Sequence, residues 1–172
     1  MFLPTAVPGC RLQGMDLMTL ENIRKLKYRY LRCVDMKRWD ELGETLTSDA
    51  TADYGTRAAG GPLRLEGRDK IVSYLRENAG PDIITAHLAG HPEIDVDGEQ
   101  ATGIWRFQDT VIATEHNVVI TGAAYYHDQY RREPDGDWRI AATSFERIYE
   151  TLTSMDDLPS MRLLANQWAD TA

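Results

Sequence analysis

The chain has 172 residues, 42% hydrophobic and 27% charged. That is the size and composition of one ordinary folded domain, and it excludes wholesale disorder, collagen-like repeats and a coiled coil. Nineteen Lys and Arg against 27 Asp and Glu leave a net charge of −8, and the nearest approach to a basic patch, Arg131-Arg132, is interrupted at once by Glu133 and Asp135, so nucleic acid is not expected as a partner. No apolar run approaches the roughly 18 residues of a membrane span, and no membrane association is expected. Two cysteines, Cys10 and Cys33, are too few for a disulfide scaffold, which points to a reducing, cytoplasmic setting.

Residues 1–16 read as a disordered tail. The segment from Phe2 to Cys10 ends in Gly-Cys like a lipoprotein cleavage site, but it lacks a preceding basic region and is broken by Pro4 and Pro8, so it makes a poor signal peptide. Met15 opens the more protein-like stretch and is a candidate start. From there Ile23, Leu26, Tyr30, Cys33 and Val34 recur at helical spacing behind Thr19 as N-cap, which predicts a helix over 19–36. A second, short helix is expected from Trp39 to Leu46, then a short strand from Ala50 to Tyr54. Gly55 to Gly67 contains four glycines and Pro62 and reads as a long mobile loop at the mouth of a site. A third helix is predicted from Arg68 to Asn78, ended by Gly80-Pro81.

Beyond Pro81 the pattern changes to long β-branched and aromatic runs: Ile83–Val96, Gln100–Ala113, Val118–Arg132 and Trp138–Leu152, separated by turn signals such as Asp97-Gly98 and Pro134-Asp135-Gly136-Asp137. Helices followed by a run of strands indicate an α+β fold: a cone-shaped, curved antiparallel sheet wrapped around three N-terminal helices, over residues 17–152. Residues 153–172 carry Leu158, Met161, Leu163, Leu164 and Trp168, and are expected to form a tail or short helix packed on their own sheet or on a neighbouring subunit.

Of the four histidines, His87 and His91 have the spacing that would share a metal on a helix. On a strand they stand about 13 Å apart, too far for one zinc ion, so no metal is expected. A histidine paired with a carboxylate is the stronger reading, because an Asp fixes the tautomer and makes the other ring nitrogen a better base. Asp35, at the C-terminal end of the first helix and the edge of its apolar stripe, is the candidate acid. A carboxylate there opposes the helix dipole and calls for a partner. Strand alternation places His87 with Thr85, Ala89 and His91, opposite Ile84, Leu88, Ile94 and Val96, so His87 and the aliphatic set share an interior only if a bulge switches parity between them. Tyr30, Tyr54, Tyr125, Tyr126 and Tyr130 can supply hydroxyl donors to a carbonyl oxygen. Asp109 shares parity with Trp105 and Phe107, and Arg147 with Phe145 and Tyr149; Arg147 would suit a carboxylate, phosphate or thioester tail if it faces inward, with an outward salt bridge as the bland alternative.

Tyr30-Leu31-Arg32-Cys33-Val34-Asp35-x3-Trp39, Asp49-Ala50 and Gly67-Arg68-Asp69-Lys70-Ile71 resemble the first half of a SnoaL-like domain of the nuclear transport factor 2-like superfamily, which has a cystatin-like fold. His87-x3-His91-Pro92-Glu93-Ile94-Asp95-Val96-Asp97-Gly98-x2-Ala101 and Tyr126-x-Asp128-x-Tyr130-x7-Trp138-Arg139-Ile140 resemble its strands, and the likeness spans roughly residues 17–152. Within the superfamily the chain is most similar to scytalone dehydratase, bile acid 7α-dehydratase and hexachlorocyclohexane dehydrochlorinase, which eliminate water or HCl without a cofactor. The resemblance implies His87, Asp35 and Tyr30 as catalytic residues, and Tyr54, Asp109, Arg147, Trp105 and Phe107 as substrate-binding ones. It further implies a cofactor-independent dehydratase acting on a small hydrophobic or polycyclic carbonyl compound, and a homo-oligomer, a trimer rather than a dimer. The same fold leaves two alternatives: a ketosteroid-isomerase-like isomerase or polyketide cyclase with Asp109 as base, and a non-catalytic binding or assembly subunit.

Overall fold

A computed structural model describes residues 17–55 and 60–169; the N-terminal tail and Cys10 lie outside them. In chain order the elements are α1 (Leu17–Asp35), α2 (Trp39–Glu44), β1 (Leu46–Asp53), β2 (Arg64–Glu66), α3 (Arg68–Asn78), β3 (Ile83–Asp97), β4 (Gln100–Ala113), β5 (Val118–Arg132) and β6 (Trp138–Ser154), closed by a 3₁₀ turn at Met155–Asp157. The strands form one sheet in the order β2-β1-β6-β5-β4-β3, unclosed at both edges. Its core lies between the sheet's inner face, with Trp105, Phe107, Tyr126, Tyr130 and Ile140, and the apolar stripe of α1, with Ile23, Leu26, Tyr30, Cys33 and Val34. Register shifts in β3 between Gly90 and Glu93, and in the β5–β6 pairing at Ala123/Ala124 and Gln129/Tyr130, supply the bends that curl long strands around the helices.

The structure departs from the sequence expectation in four places. The sheet is mixed rather than wholly antiparallel: β1 runs parallel to β6, pairing Thr51 with Ala142 and Asp53 with Ser144. A parallel pair needs a long crossover, and here everything from β2 to β5 serves as that connection. Second, α2 stops at Glu44, where the Thr45 hydroxyl donates to the Leu42 carbonyl at 2.6 Å, and the fully buried Leu46 already belongs to β1. Third, part of the expected glycine-rich loop is a strand, β2, paired with the end of β1; residues 56–59 lie outside the described set. Finally, the described C-terminal tail returns to the end of α1 and the turn before β3 rather than docking as a helix on the sheet. Asn166 donates to the Pro81 carbonyl at 3.2 Å, and the Trp168 ring lies 5.3 Å from Lys37 Nζ, so the tail uses separate anchors instead of one helical stripe.

One buried charge pair holds the base of the cone. Lys27 Nζ on α1 meets Asp128 Oδ2 on β5 at 2.7 Å with both side chains fully buried. The Tyr130 and Thr143 hydroxyls each donate to Asp128 at 2.7 Å, and Trp105 Nε1–H donates to Tyr130 at 2.8 Å. Nζ also sits 3.4 Å from the centre of the Tyr126 ring. Burial lowers the Lys27 pKa, with Asp128 opposing that shift. Removing one member of such a pair strands the other charge, so Lys27→Ala should cost about 3–5 kcal/mol, whereas Lys27→Met with Asp128→Leu should cost less than Lys27→Ala alone. Urea unfolding of the two variants checks the difference.

Candidate active site

Asp35 is the last residue of α1, and its carboxylate accepts three hydrogen bonds from β3: Thr85 Oγ1 at 2.8 Å and His87 Nδ1 at 2.6 Å on Oδ1, and the His87 backbone N–H at 2.9 Å on Oδ2. These donors answer the unfavourable placement of an acid at a helix C-terminus. The chain leaves the helix through Lys37, at φ 54°, whose ammonium donates to the Ala79 and Ile83 carbonyls at 2.8 Å each. The end of α1, the end of α3 and the start of β3 are thereby tied at one point. Burial lowers the Lys37 pKa, while Asp82 and Asp35 pull it up.

The parity question is answered by the bulge at His91-Pro92. His91, at φ 49°, takes up the extra residue, so Thr85, His87 and Ala89 face inward before it and Ile94 and Val96 after it, while Leu88 points out with 71% exposure. His91 and His127 are exposed, away from the dyad. Among the described residues no three His, Cys, Asp or Glu side chains gather as a metal site, and no helix is long and apolar enough to cross a membrane.

His87 opens onto a cavity of about 590 Å³ between α1, α3 and the inner face of the sheet. Tyr30 and Tyr54 share a short hydroxyl–hydroxyl hydrogen bond at its wall. Such a pair spends one proton internally and leaves one O–H to donate. Phe107 stacks on Tyr126 at 4.2 Å, and Phe145 meets both edge-on at 5.7 and 5.8 Å. The Tyr126 hydroxyl has no hydrogen-bond partner among the described residues. Burial pushes the Tyr30, Tyr54 and Tyr126 phenols well above their ordinary value, so all three are neutral donors at neutral pH.

Asp109 sits directly across from His87 in the β3–β4 register. It is bound in a fork by Arg147, Nη1 to Oδ1 at 2.5 Å and Nη2 to Oδ2 at 2.8 Å, and Arg147 Nη2 lies 3.6 Å from Glu150 as well. Arg147 therefore faces inward, with its fork turned to protein carboxylates. Asp109 holds the guanidinium pKa up against burial. Trp105 does not line the cavity: it is fully buried one step below Phe107, with its N–H used by Tyr130.

Two features escaped sequence reasoning. Lys27 falls on the apolar stripe of α1, four residues after Ile23 and three before Tyr30, and Asp128 falls between Tyr126 and Tyr130 on inward parity; that coincidence was the available signal. The other is Gly122, where an added Cβ would lie 2.4 Å from Arg147 Nη1 and 2.9 Å from Asp109 Oδ1. The missing side chain is what lets the guanidinium lie on the sheet between its two acids, and no sequence pattern marks it.

A family profile described as a SnoaL-like domain matches residues 15–144. The chain belongs to this family. Its SnoaL-like relatives include the uncharacterized protein Rv2910c of Mycobacterium tuberculosis, 35% identical over 120 residues that span 69% of this chain and 78% of that protein. Among solved structures, a scytalone dehydratase-like protein from Novosphingobium aromaticivorans superposes with a TM-score of 0.69 at 19% identity, over 78% of this chain and 87% of its own. Hexachlorocyclohexane dehydrochlorinase LinA-type3 from Novosphingobium barchaimii does so with 0.65 at 22% identity, over 80% and 91%. ActVI-ORFA from Streptomyces coelicolor gives 0.61 at 12% identity, over 76% and 98%. These likenesses, all below 25% identity, show a shared α+β fold.

The ion pair over Gly122 yields a direct test. Gly122→Ala should displace the Arg147 fork and lower stability by about 1–2 kcal/mol, the loss of charge-assisted hydrogen bonds less the gain from removing a strand glycine. Gly90→Ala, whose Cβ meets nothing within 4 Å, should be neutral or stabilising. Chemical denaturation of both proteins measures the contrast.

Proposed function

We propose that the protein is a cofactor-independent lyase that eliminates water from a β-hydroxy carbonyl compound held in this cavity. The observation that carries the reading is the His87–Asp35 pair, with the imidazole lining an apolar chamber beside phenol donors. A carboxylate can only accept, so Asp35 holds the proton on Nδ1 and leaves Nε2 as the basic nitrogen. His87 Nε2 takes the proton from the carbon next to the carbonyl, and Asp35 stabilises the imidazolium that forms. Negative charge moves onto the carbonyl oxygen, where the free O–H of the Tyr30–Tyr54 pair or of Tyr126 donates to it. The carbon–carbon double bond then forms as the β-hydroxyl departs, taking the proton from Nε2 and leaving as water. Likeness to a dehydratase-like protein and a dehydrochlorinase supports this class.

Isomerisation with Asp109 as base is less well supported, because its carboxylate is engaged by the Arg147 fork. For assembly we propose a homotrimer through the outer face of the sheet, where Leu88 on β3 and Ile148 on β6 are 71% and 57% exposed.

Wild-type protein incubated with polycyclic β-hydroxy ketones should generate the conjugated enone absorbance. His87→Gln should lower the rate by roughly 10²–10⁴-fold, and Tyr54→Phe by less, because Tyr30 and Tyr126 retain hydroxyls. Full turnover by His87→Gln would place the base elsewhere.

A further inference from the structure

Beyond the dyad the inner face of the sheet is laid out in cross-strand rows. One row holds Thr85, Val111, Ile120 and Leu152, and the next holds Ile83, Ala113 and Val118. From His87 to Ile83 that face runs about 13 Å, four residues of strand. Apart from Thr85, whose hydroxyl is engaged by Asp35, its rows are aliphatic. Polarity returns at the far rim of the cavity, where His116 in the β4–β5 turn and Asn78 at the end of α3 join the lining. Neither residue has a part in the elimination chemistry.

Two exposed polar side chains at a rim decide nothing by themselves, but here the backbone that carries them is fixed and their hydrogen-bonding groups are unspent. The Thr114 N–H and hydroxyl both donate to the Asp82 carbonyl, at 2.9 and 3.1 Å, which ties the β4–β5 turn to the connection that leaves α3. Within the turn the Asn117 N–H donates to the Thr114 carbonyl at 3.2 Å, and the Asn117 carbonyl accepts from the Met155 N–H at 2.9 Å. On the helical wall Asn78 Nδ2 donates to the Tyr74 carbonyl at 2.8 Å, one turn back on α3. That bond orients the carboxamide and leaves its Oδ1 and second N–H unpartnered among the described residues, where the His116 ring has no hydrogen-bond partner either. The carboxamide and a neutral imidazole each offer one donor and one acceptor. Both side chains are exposed, so a ligand long enough to reach the rim displaces water from them, and an apolar end gives nothing back. A hydroxyl, which donates and accepts at once, replaces what the water supplied.

We infer that His116 and Asn78 form a distal specificity subsite, which reads a hydroxyl group at the end of the ligand remote from the reacting carbonyl. The ligand is then bifunctional, with its carbonyl at His87, its body along the aliphatic rows and a second oxygen function at the rim. The inference rests on the reacting carbonyl lying at His87 as proposed above. It concerns binding selectivity, so it stands or falls separately from the proton transfer.

The test uses two ketones of matched shape, 4-acetyl-4′-hydroxybiphenyl and 4-acetyl-4′-methylbiphenyl, which differ only in the group remote from the carbonyl. Calorimetric or fluorescence titration of the wild type should show the hydroxyl probe binding about three- to tenfold more tightly, the effect of one or two hydrogen bonds. His116→Phe and Asn78→Leu keep side-chain bulk and remove the hydrogen-bonding groups. Each should cut the preference several-fold while the methyl probe binds within about twofold of its wild-type affinity, so that the loss belongs to the hydroxyl and not to the fold. Val111→Trp, in the middle of the aliphatic rows, should abolish binding of both probes, with circular dichroism reporting that the variant is folded. The inference is overturned by a methyl probe that binds as well as the hydroxyl probe, by a preference that survives both rim substitutions, by no binding of either probe, or by binding that survives the folded blocking variant. Neither probe carries a β-hydroxyl to lose, so a failed preference leaves the His87 elimination standing, whereas a failed elimination with the preference intact overturns only the mechanism.

Discussion

Everything chemical in this protein depends on one carboxylate holding two secondary-structure elements together. Asp35 closes α1 and accepts from a side chain, a backbone amide and an imidazole on β3. The backbone and hydroxyl bonds fix where β3 passes the helix end, and the imidazole bond then fixes the ring that β3 carries. A carboxylate held by one bond could rotate; held by three, it sets both the position and the tautomer of His87. Lys37, two residues on, ties the same junction to α3 and the start of β3, so the dyad sits at a rigid corner of the fold.

The rest of the cone divides the cavity by dielectric character. Below the dyad, Lys27 and Asp128 neutralise each other beneath the aromatic floor, and hydroxyl and indole donors satisfy the remaining acceptor positions. Beside it, Arg147 and its acids form a second charge group on the sheet, in which the buried Arg147 Nε has no hydrogen-bond partner among the described residues. Beyond it the wall is mostly aliphatic, with Asn78 and His116 also lining it.

How much of this could be read from the residues follows from the range of each interaction. Helices and long strands are written locally, in periodicity and turn residues, and β4 and β5 run between the expected limits. The mixed character of the sheet is not local: β1 joins β6 across nearly a hundred residues, and no short pattern marks that pairing as parallel. The inward face of His87 depended on a single bulge at His91-Pro92, which strict alternation cannot foresee. Trp105 shared parity with Phe107 and was expected at the ligand, but the cavity floor lies above it. Arg147 could be placed on the inner face, yet its partner lay on another strand, and the glycine that seats it leaves no trace in composition.

The central claim is that Asp35 holds His87 as the Nδ1–H tautomer with Nε2 free to act as base. Long-range proton–nitrogen correlation spectra of the histidine rings test it most directly, with His87 assigned by His87→Gln. The account predicts a protonated Nδ1 and an unprotonated Nε2 in the neutral ring of the wild type, and loss of that preference in Asp35→Asn. A proton resident on Nε2, or a ring whose tautomer is indifferent to Asp35, would contradict it.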